Sequence, residues 1–142
     1  MNATITDFVG RAAVAPQSRI ETYIRNAAFD RPTLVLDREA VAGQYHALKA
    51  GLGDHPLVGE IRSFGLLAAI EIVSNKQTRA RFQPEGSAPV VIRDHAIANG
   101  LMMRAVMDTM IMSPPLIWTK ETIDMAVERV RIALDLAAKD LL

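Results

Sequence analysis

The stretch from residue 57 to residue 118 constrains the fold most. It reads LVGEIRSFGLLAAIEIV, a polar loop, a helix ending in Asn99-Gly100, then LMMRAVMDTMIMSPPLIW. Leu66, Ala68, Ile70 and Ile72 share one parity, and Leu67, Ala69, Glu71 and Val73 share the other. Apolar residues on both parities, closed by Ser74-Asn75, predict a strand covered on both faces. Residues 57–63 are its expected hairpin partner. Ser63-Phe64-Gly65 forms the expected turn, where glycine supplies a backbone angle that other residues resist. Residues 74–86 are a polar loop. Ser87 is the expected cap of a helix that tolerates Pro89 in its first turn, with Val90, Val91, Ile97 and Ala98 as an apolar stripe. Gly100 stops that helix by entering the left-handed cap position. Residues 101–105 predict a short strand, Asp108-Thr109 a turn, and residues 110–112 the returning strand. Pro114-Pro115 ends the ladder, because neither residue has an N–H to donate.

The flanks follow from the same rules. Asp37 is the expected N-cap of a helix in which Val41, Tyr45, Leu48 and Leu52 share one face. Gly43 weakens that helix, and Gly51 and Gly53 mark its end. Thr119 caps the last helix, with Glu121 near its positive end. Ile123, Val127, Val130, Leu134 and Leu141 lie on one stripe, with Ala137 between the last two. The spacing also suits a coiled coil, but the apolar sheet before it favours a helix lying across that sheet. Residues 1–36 carry a weaker pattern. A Ser18/Glu21 capping box, a short helix with Ile20, Tyr23, Ile24 and Ala27 along one side, and a short strand over 33–36 are expected there. The resulting fold class is α+β: a small, mostly antiparallel sheet packed with helices.

Composition narrows the function classes. Sixteen basic and sixteen acidic residues balance in a chain of 142, so no basic field points to nucleic acid or an acidic membrane. The chain has no cysteine, which removes disulfides, thiolate chemistry and cysteine zinc sites. No apolar run has membrane-spanning length, and the N-terminus lacks a basic region followed by an apolar core. A cytoplasmic chain is the expectation.

Arg104, at the end of the predicted strand and before a turn, is the candidate binding residue. A guanidinium there can grip a carboxylate through two parallel hydrogen bonds; a structural or solvated arginine is the competing reading. Arg62, Arg79, Arg81 and Arg93 have weaker cases. Asp108 forms the turn or bridges Arg104. His46, His55 and His95 are scattered without metal-ligand spacing. Glu60 and Glu71 fall on neighbouring strands, solvated or bridged to arginine; two adjacent carboxylates do not establish glycosidase chemistry. Ser63 and Ser113 lack a nucleophile-elbow context, and no glycine-rich phosphate loop is present. Met102, Met103, Met107, Met110 and Met112 read first as core filling, then as an apolar substrate wall or dimer contact.

The ordered set His55-Pro56-Leu57-Val58-Gly59, Gly65-Leu66, Gly100-Leu101, Arg104-Ala105, Asp108 and Ser113-Pro114-Pro115-Leu116 resembles the C-terminal domain of class III pyridoxal-phosphate-dependent aminotransferases, nearest the omega-transaminase branch. The resemblance runs over about residues 37 to 138. It divides the chain into a poorly matched segment, 1–36, and a small domain, 37–142, like that of fold-type I enzymes. It implies that Arg104 binds the substrate carboxylate. Two positions depart from the family pattern: Met107 and Ser63 stand where glycine is common. The resemblance also places the cofactor-bearing lysine, an aspartate facing the pyridine nitrogen and most phosphate contacts in a large domain. Lys49, Lys76, Lys120 and Lys139 match none of these. The expectation is therefore a C-terminal portion of an enzyme that moves an amino group from an amine or amino acid to a keto acid such as pyruvate. It would have no catalytic, cofactor-binding or metal residue of its own, would not retain pyridoxal 5'-phosphate, and would be inactive alone. Its partner would be a large domain or a second copy, with substrates bound only in a complete enzyme. The alternative is a non-catalytic α+β interaction or oligomerisation module.

Overall fold

A computed structural model describes residues 19–33, 35, 38–115 and 117–142. The chain forms two compact units, Met1–Arg38 and Glu39–Leu142. In the first, the described helix is α1, Arg19–Asn26. Tyr23 tilts against Phe29 with ring centroids 6.2 Å apart. Neither Thr33 nor Val35 belongs to a strand. The Ser18 capping box, the Asp37 cap and the rest of the expected 33–36 strand fall outside the described residues.

The second unit runs α2 (Arg38–Leu52), β1 (Val58–Phe64), β2 (Leu67–Ile72), α3 (Ser87–Ala98), β3 (Arg104–Val106), β4 (Thr109–Met112) and α4 (Lys120–Leu141). This is the expected α+β order. The sheet order is β1-β2-β4-β3 and every pairing is antiparallel. Phe64 pairs with Leu67, so the hairpin turn is Gly65-Leu66, with Gly65 at φ 58°. The register shifts between Val58 and Glu60, placing an irregularity at Gly59.

Alternation along the strands selects one packed face. Ile61, Ala68, Ile70, Ile72, Met110 and Met112 are buried against Leu48 and Leu52 of α2, Ala88, Ile92 and Ala96 of α3, and Ala126, Val130, Ala133, Leu134 and Ala137 of α4. Each fully buried aliphatic side chain of this kind contributes roughly 1.5–3 kcal/mol relative to exposure. Thr119 caps α4 by accepting the Thr122 N–H.

Several local expectations require correction. β2 was expected to be covered on both faces; only the 68/70/72 face is buried, and Leu67 is 47% exposed. Within this unit the described residues supply no second layer. In α3 the packed residues are Ala88, Pro89, Ile92 and Ala96, whereas Val90 and Ile97 face solvent. Small side chains let α3 approach α4 closely, so alanine spacing sets the face rather than bulk. The cap of α3 is Gly86 at φ 79° with no side-chain cap, and Ser87 is its first helical residue. β3 begins at Arg104, and its turn is Met107-Asp108, one residue before the expected position. Met103, Met110 and Met112 fill the core, but Met102 and Met107 are 87% and 64% exposed.

Candidate functional site

The uncovered sheet face carries the candidate residue. Arg104 pairs with Ile111, Ile111 with Ala69, and Ala69 with Arg62. Directly opposed residues share a face, so this row reads Arg62, Ala69, Ile111, Arg104 across the whole sheet. Arg104 is exposed and has no hydrogen-bond or ion-pair partner among the described residues. The sequence reading placed it at the end of its strand. It is the first residue of β3, and its position comes from the pairing with β4.

The next row reads Glu60, Glu71, Thr109, Val106. Two glutamates thus stand directly opposite each other. Arg79, reaching back from the 74–86 loop with φ 56°, donates to Glu60 Oε2 at 3.0 Å and to Glu71. Those two carboxylates hold the Arg79 guanidinium above its usual pKa. Arg62 Nε lies 4.0 Å from Glu60 Oε2.

The β3–β4 turn is tied to α3. Asp108, buried, accepts the Gly86 N–H at 3.0 Å through Oδ1, and its Oδ2 lies 3.4 Å from Arg81. Its backbone carbonyl accepts the Ile72 N–H at 2.8 Å. Asp108 therefore bridges Arg81 and not Arg104. Met107, beside it, takes φ 48°, a left-handed angle that glycine adopts without penalty. This is the position at which the family resemblance showed a departure from glycine.

The remaining candidates have structural positions. Arg93 pairs with its neighbour Asp94 at 2.7 Å. His46 is exposed on α2, its ring 5.7 Å from that of Tyr45. His95 contacts Asp140 at 2.7 Å, joining α3 to α4. His55 is buried at 2% exposure; its Nδ1 accepts the Leu57 N–H at 3.2 Å and its Nε2 faces Asp135 at 3.2 Å. Burial lowers its pKa, opposed by the Asp135 charge. Arg131 completes this clamp through Asp54 at 2.6 Å and the Gly51 carbonyl at 3.0 Å. The sequence reading missed this clamp; the only signal was a histidine before proline at a strand entrance. Among the described residues no three His, Asp or Glu side chains converge on a metal position.

Two concave spaces of this unit do not include Arg104. One cleft, about 300 Å³, lies between α2 and the start of α4 and is lined by Gly43, Gln44, Ala47, Trp118, Ile123 and the paired Lys120 and Asp124. The other is a narrow space beneath Tyr45 and Trp118. Both sit away from the row that holds the arginines.

No family model matches the chain. Individual relatives do. It is 51% identical over 87 residues to a putrescine–pyruvate aminotransferase of Pseudomonas aeruginosa, covering 61% of this chain and 19% of that protein. It is 36% identical over 107 residues to an uncharacterised aminotransferase of Sinorhizobium fredii, covering 70% of this chain and 23% of that protein. The fold superposes on the omega-transaminase of Pseudomonas jessenii, solved with PMP, at a TM-score of 0.65 and 37% identity over 72% of this chain. The chain belongs to the class III pyridoxal-phosphate-dependent aminotransferase family, as a partial, C-terminal-type domain. It spans about a fifth of the length of the curated relatives it matches and about a quarter of the solved chains.

The family uses pyridoxal phosphate, and the residues here do not fit that cofactor. Its carbonyl needs a lysine, its ring nitrogen an acid and its phosphate a cradle of donors. The four lysines lie on α2, on the 74–86 loop and on α4, none on the sheet. Lys76 donates to the Gly53 and His55 carbonyls and Lys120 to Asp124. Among the described residues no helix is long and apolar enough to cross a membrane.

Proposed function

We propose that this chain is the substrate-carboxylate half of an amine transaminase site. Arg104 receives the carboxylate of the keto acid in a bidentate grip, and a large domain supplies lysine and cofactor. The observation that carries the proposal is Arg104 itself: exposed, without a partner among the described residues, and presented on an uncovered sheet face. Ala69 and Ile111 form an apolar floor beside it, so the guanidinium fixes one end of the acid while little else there competes for its oxygens. Positioning of this kind lowers the barrier only when the reacting groups share the site. With no lysine suitably placed, the chain alone does not turn over substrate.

Purified chain with pyridoxal phosphate, an amine and pyruvate should give no turnover, with nonspecific lysine imines as the control. Supplied with a large-domain polypeptide of this family, it should support transamination. Arg104→Ala should then lower kcat/KM for pyruvate by roughly tenfold to a hundredfold, the factor that losing a charge-assisted hydrogen bond commands. Turnover by the chain alone, or an Arg104→Ala complex with unchanged KM for the acid, overturns the proposal.

A further inference from the structure

We infer that Arg79 is a positioning residue that keeps Arg104 open to a carboxylate ligand by holding Glu60 and Glu71 away from it. The inference rests on the reading of Arg104 given above and adds a residue to it. Three observations carry it. Glu60 and Glu71 are directly opposed across β1 and β2 on the face that bears Arg104. Like charges so placed repel one another and seek a cation. Arg79 engages both at once, from a loop position whose φ of 56° is a strained conformation for an arginine. Arg104 has no partner on the same face among the described residues.

The geometry shows what Arg79 prevents. Arg104 and Glu71 are two strands and one row apart, which puts their Cα atoms about 12 Å from each other at ordinary sheet spacings. An extended arginine and an extended glutamate close that gap between them. Without Arg79, Arg62 is the near cation for Glu60, from which it now stands 4.0 Å away. Glu71 is then left to seek Arg104 across Thr109 and Ile111. Asp108 does not compete, because it is engaged by Gly86 and Arg81. An internal carboxylate seated on Arg104 would occupy the fork that the keto acid needs. Arg79 touches neither substrate nor cofactor in this scheme; it acts through Glu71.

The test follows the Nε–Hε signal of Arg104 in the full chain, labelled at arginine, through the glutamate titration range. In the parent protein the signal should stay constant. In Arg79→Ala it should titrate with a carboxylate, and in Arg79→Ala with Glu60→Gln and Glu71→Gln it should be constant again. Arg79→Lys, which keeps one cation near both acids, should restore most of the parent behaviour. Arg79→Gln removes the cation but keeps a hydrogen-bonding side chain, so it should titrate like Arg79→Ala and keeps the test readable if the alanine variant folds poorly. An Arg104 signal that ignores Arg79→Ala, or that titrates equally in the parent, overturns the inference. Pyruvate titrated against the same proteins, each supplied with a large-domain polypeptide of this family, separates the two claims. Affinity should fall roughly twofold to fivefold in Arg79→Ala, the factor of an exposed ion pair, and recover in the triple variant. Equal pyruvate binding by the parent and Arg104→Ala sinks the proposed function, while the pH readout still decides the role of Arg79.

Discussion

Replacing Gly59 by alanine tests how tightly β1 closes on β2. A Cβ built at Gly59 lies 2.7 Å from Val73 Cγ1 and 2.7 Å from Glu71 Oε2. Val73 is fully buried, so its methyl can yield only by pushing into the core. Forcing one extra methyl into such a place costs about 1–3 kcal/mol. Gly59 is not among the glycines with positive φ, so alanine adds no backbone strain and recovers about 0.4–1 kcal/mol by restricting the unfolded chain. The net expectation is a loss of about 1–2 kcal/mol, or roughly 4–12 °C in Tm for a domain of this size. Val73→Ala alone should cost about 2 kcal/mol for two buried methyl groups. Adding Gly59→Ala to it should then cost less than about 0.5 kcal/mol, because the methyl is gone. Thermal and urea unfolding of the four proteins completes the cycle. If Gly59→Ala melts with the parent, or costs the same with and without the Val73 methyls, the contact does not control this hairpin.

Three further outcomes are expected. Burial lowers the His55 pKa below its unfolded value, so the unfolded chain takes the proton first as pH falls through about 6.5. The His55 contribution is therefore present above that value and is lost as pH drops towards the folded pKa; equal urea midpoints at pH 7.5 and pH 5, or the same slope in His55→Gln, would contradict this. Met107→Gly should raise the urea midpoint by up to about 1 kcal/mol equivalent, since relief of a left-handed residue, about 1–2 kcal/mol, exceeds the backbone freedom glycine brings, about 0.5–1 kcal/mol; a lower midpoint would show that the Met107 side chain matters more than its angle. The isolated chain should associate in sedimentation across a tenfold concentration range, and Phe64→Lys with Leu67→Lys should weaken that association, as these residues are 89% and 47% exposed beside the uncovered face; a concentration-independent monomer would refute it.

The element order was legible because each piece has a local cause. Parity marks β2, glycine marks the turn at Gly65 and the end of α3, and Thr119 marks the start of α4. What escaped depends on contacts between distant residues. The register that puts Arg104 at the start of β3 is set by pairing to β4 and by Asp108 anchoring on Gly86. The packed face of α3 was misread because alanines define it and the larger Val90 and Ile97 point outward. Arg104 stands out as a candidate more from the ordered motif around it than from its strand. The two-glutamate grip of Arg79 was only half legible, since the partner arginine arrives from a loop whose path the sequence pattern does not dictate.

The strand order also sets how the sheet can assemble in time. β1 with β2, and β3 with β4, are hairpins of near neighbours along the chain. Only the pairing of β2 with β4, from Ala68 opposite Met112 to Glu71 opposite Thr109, joins distant residues. Local hairpins close on the scale of microseconds, whereas the seam must first close the long loop that contains α3, at the entropic cost such loops carry. Within the sheet, contact order therefore concentrates in this one seam. Once α3 has formed, it shortens the span to be searched, and its alanine face gives α4 a surface to dock on. Ile70 and Met110, opposed at the middle of the seam and both buried, stand where two small local structures become one cooperative domain.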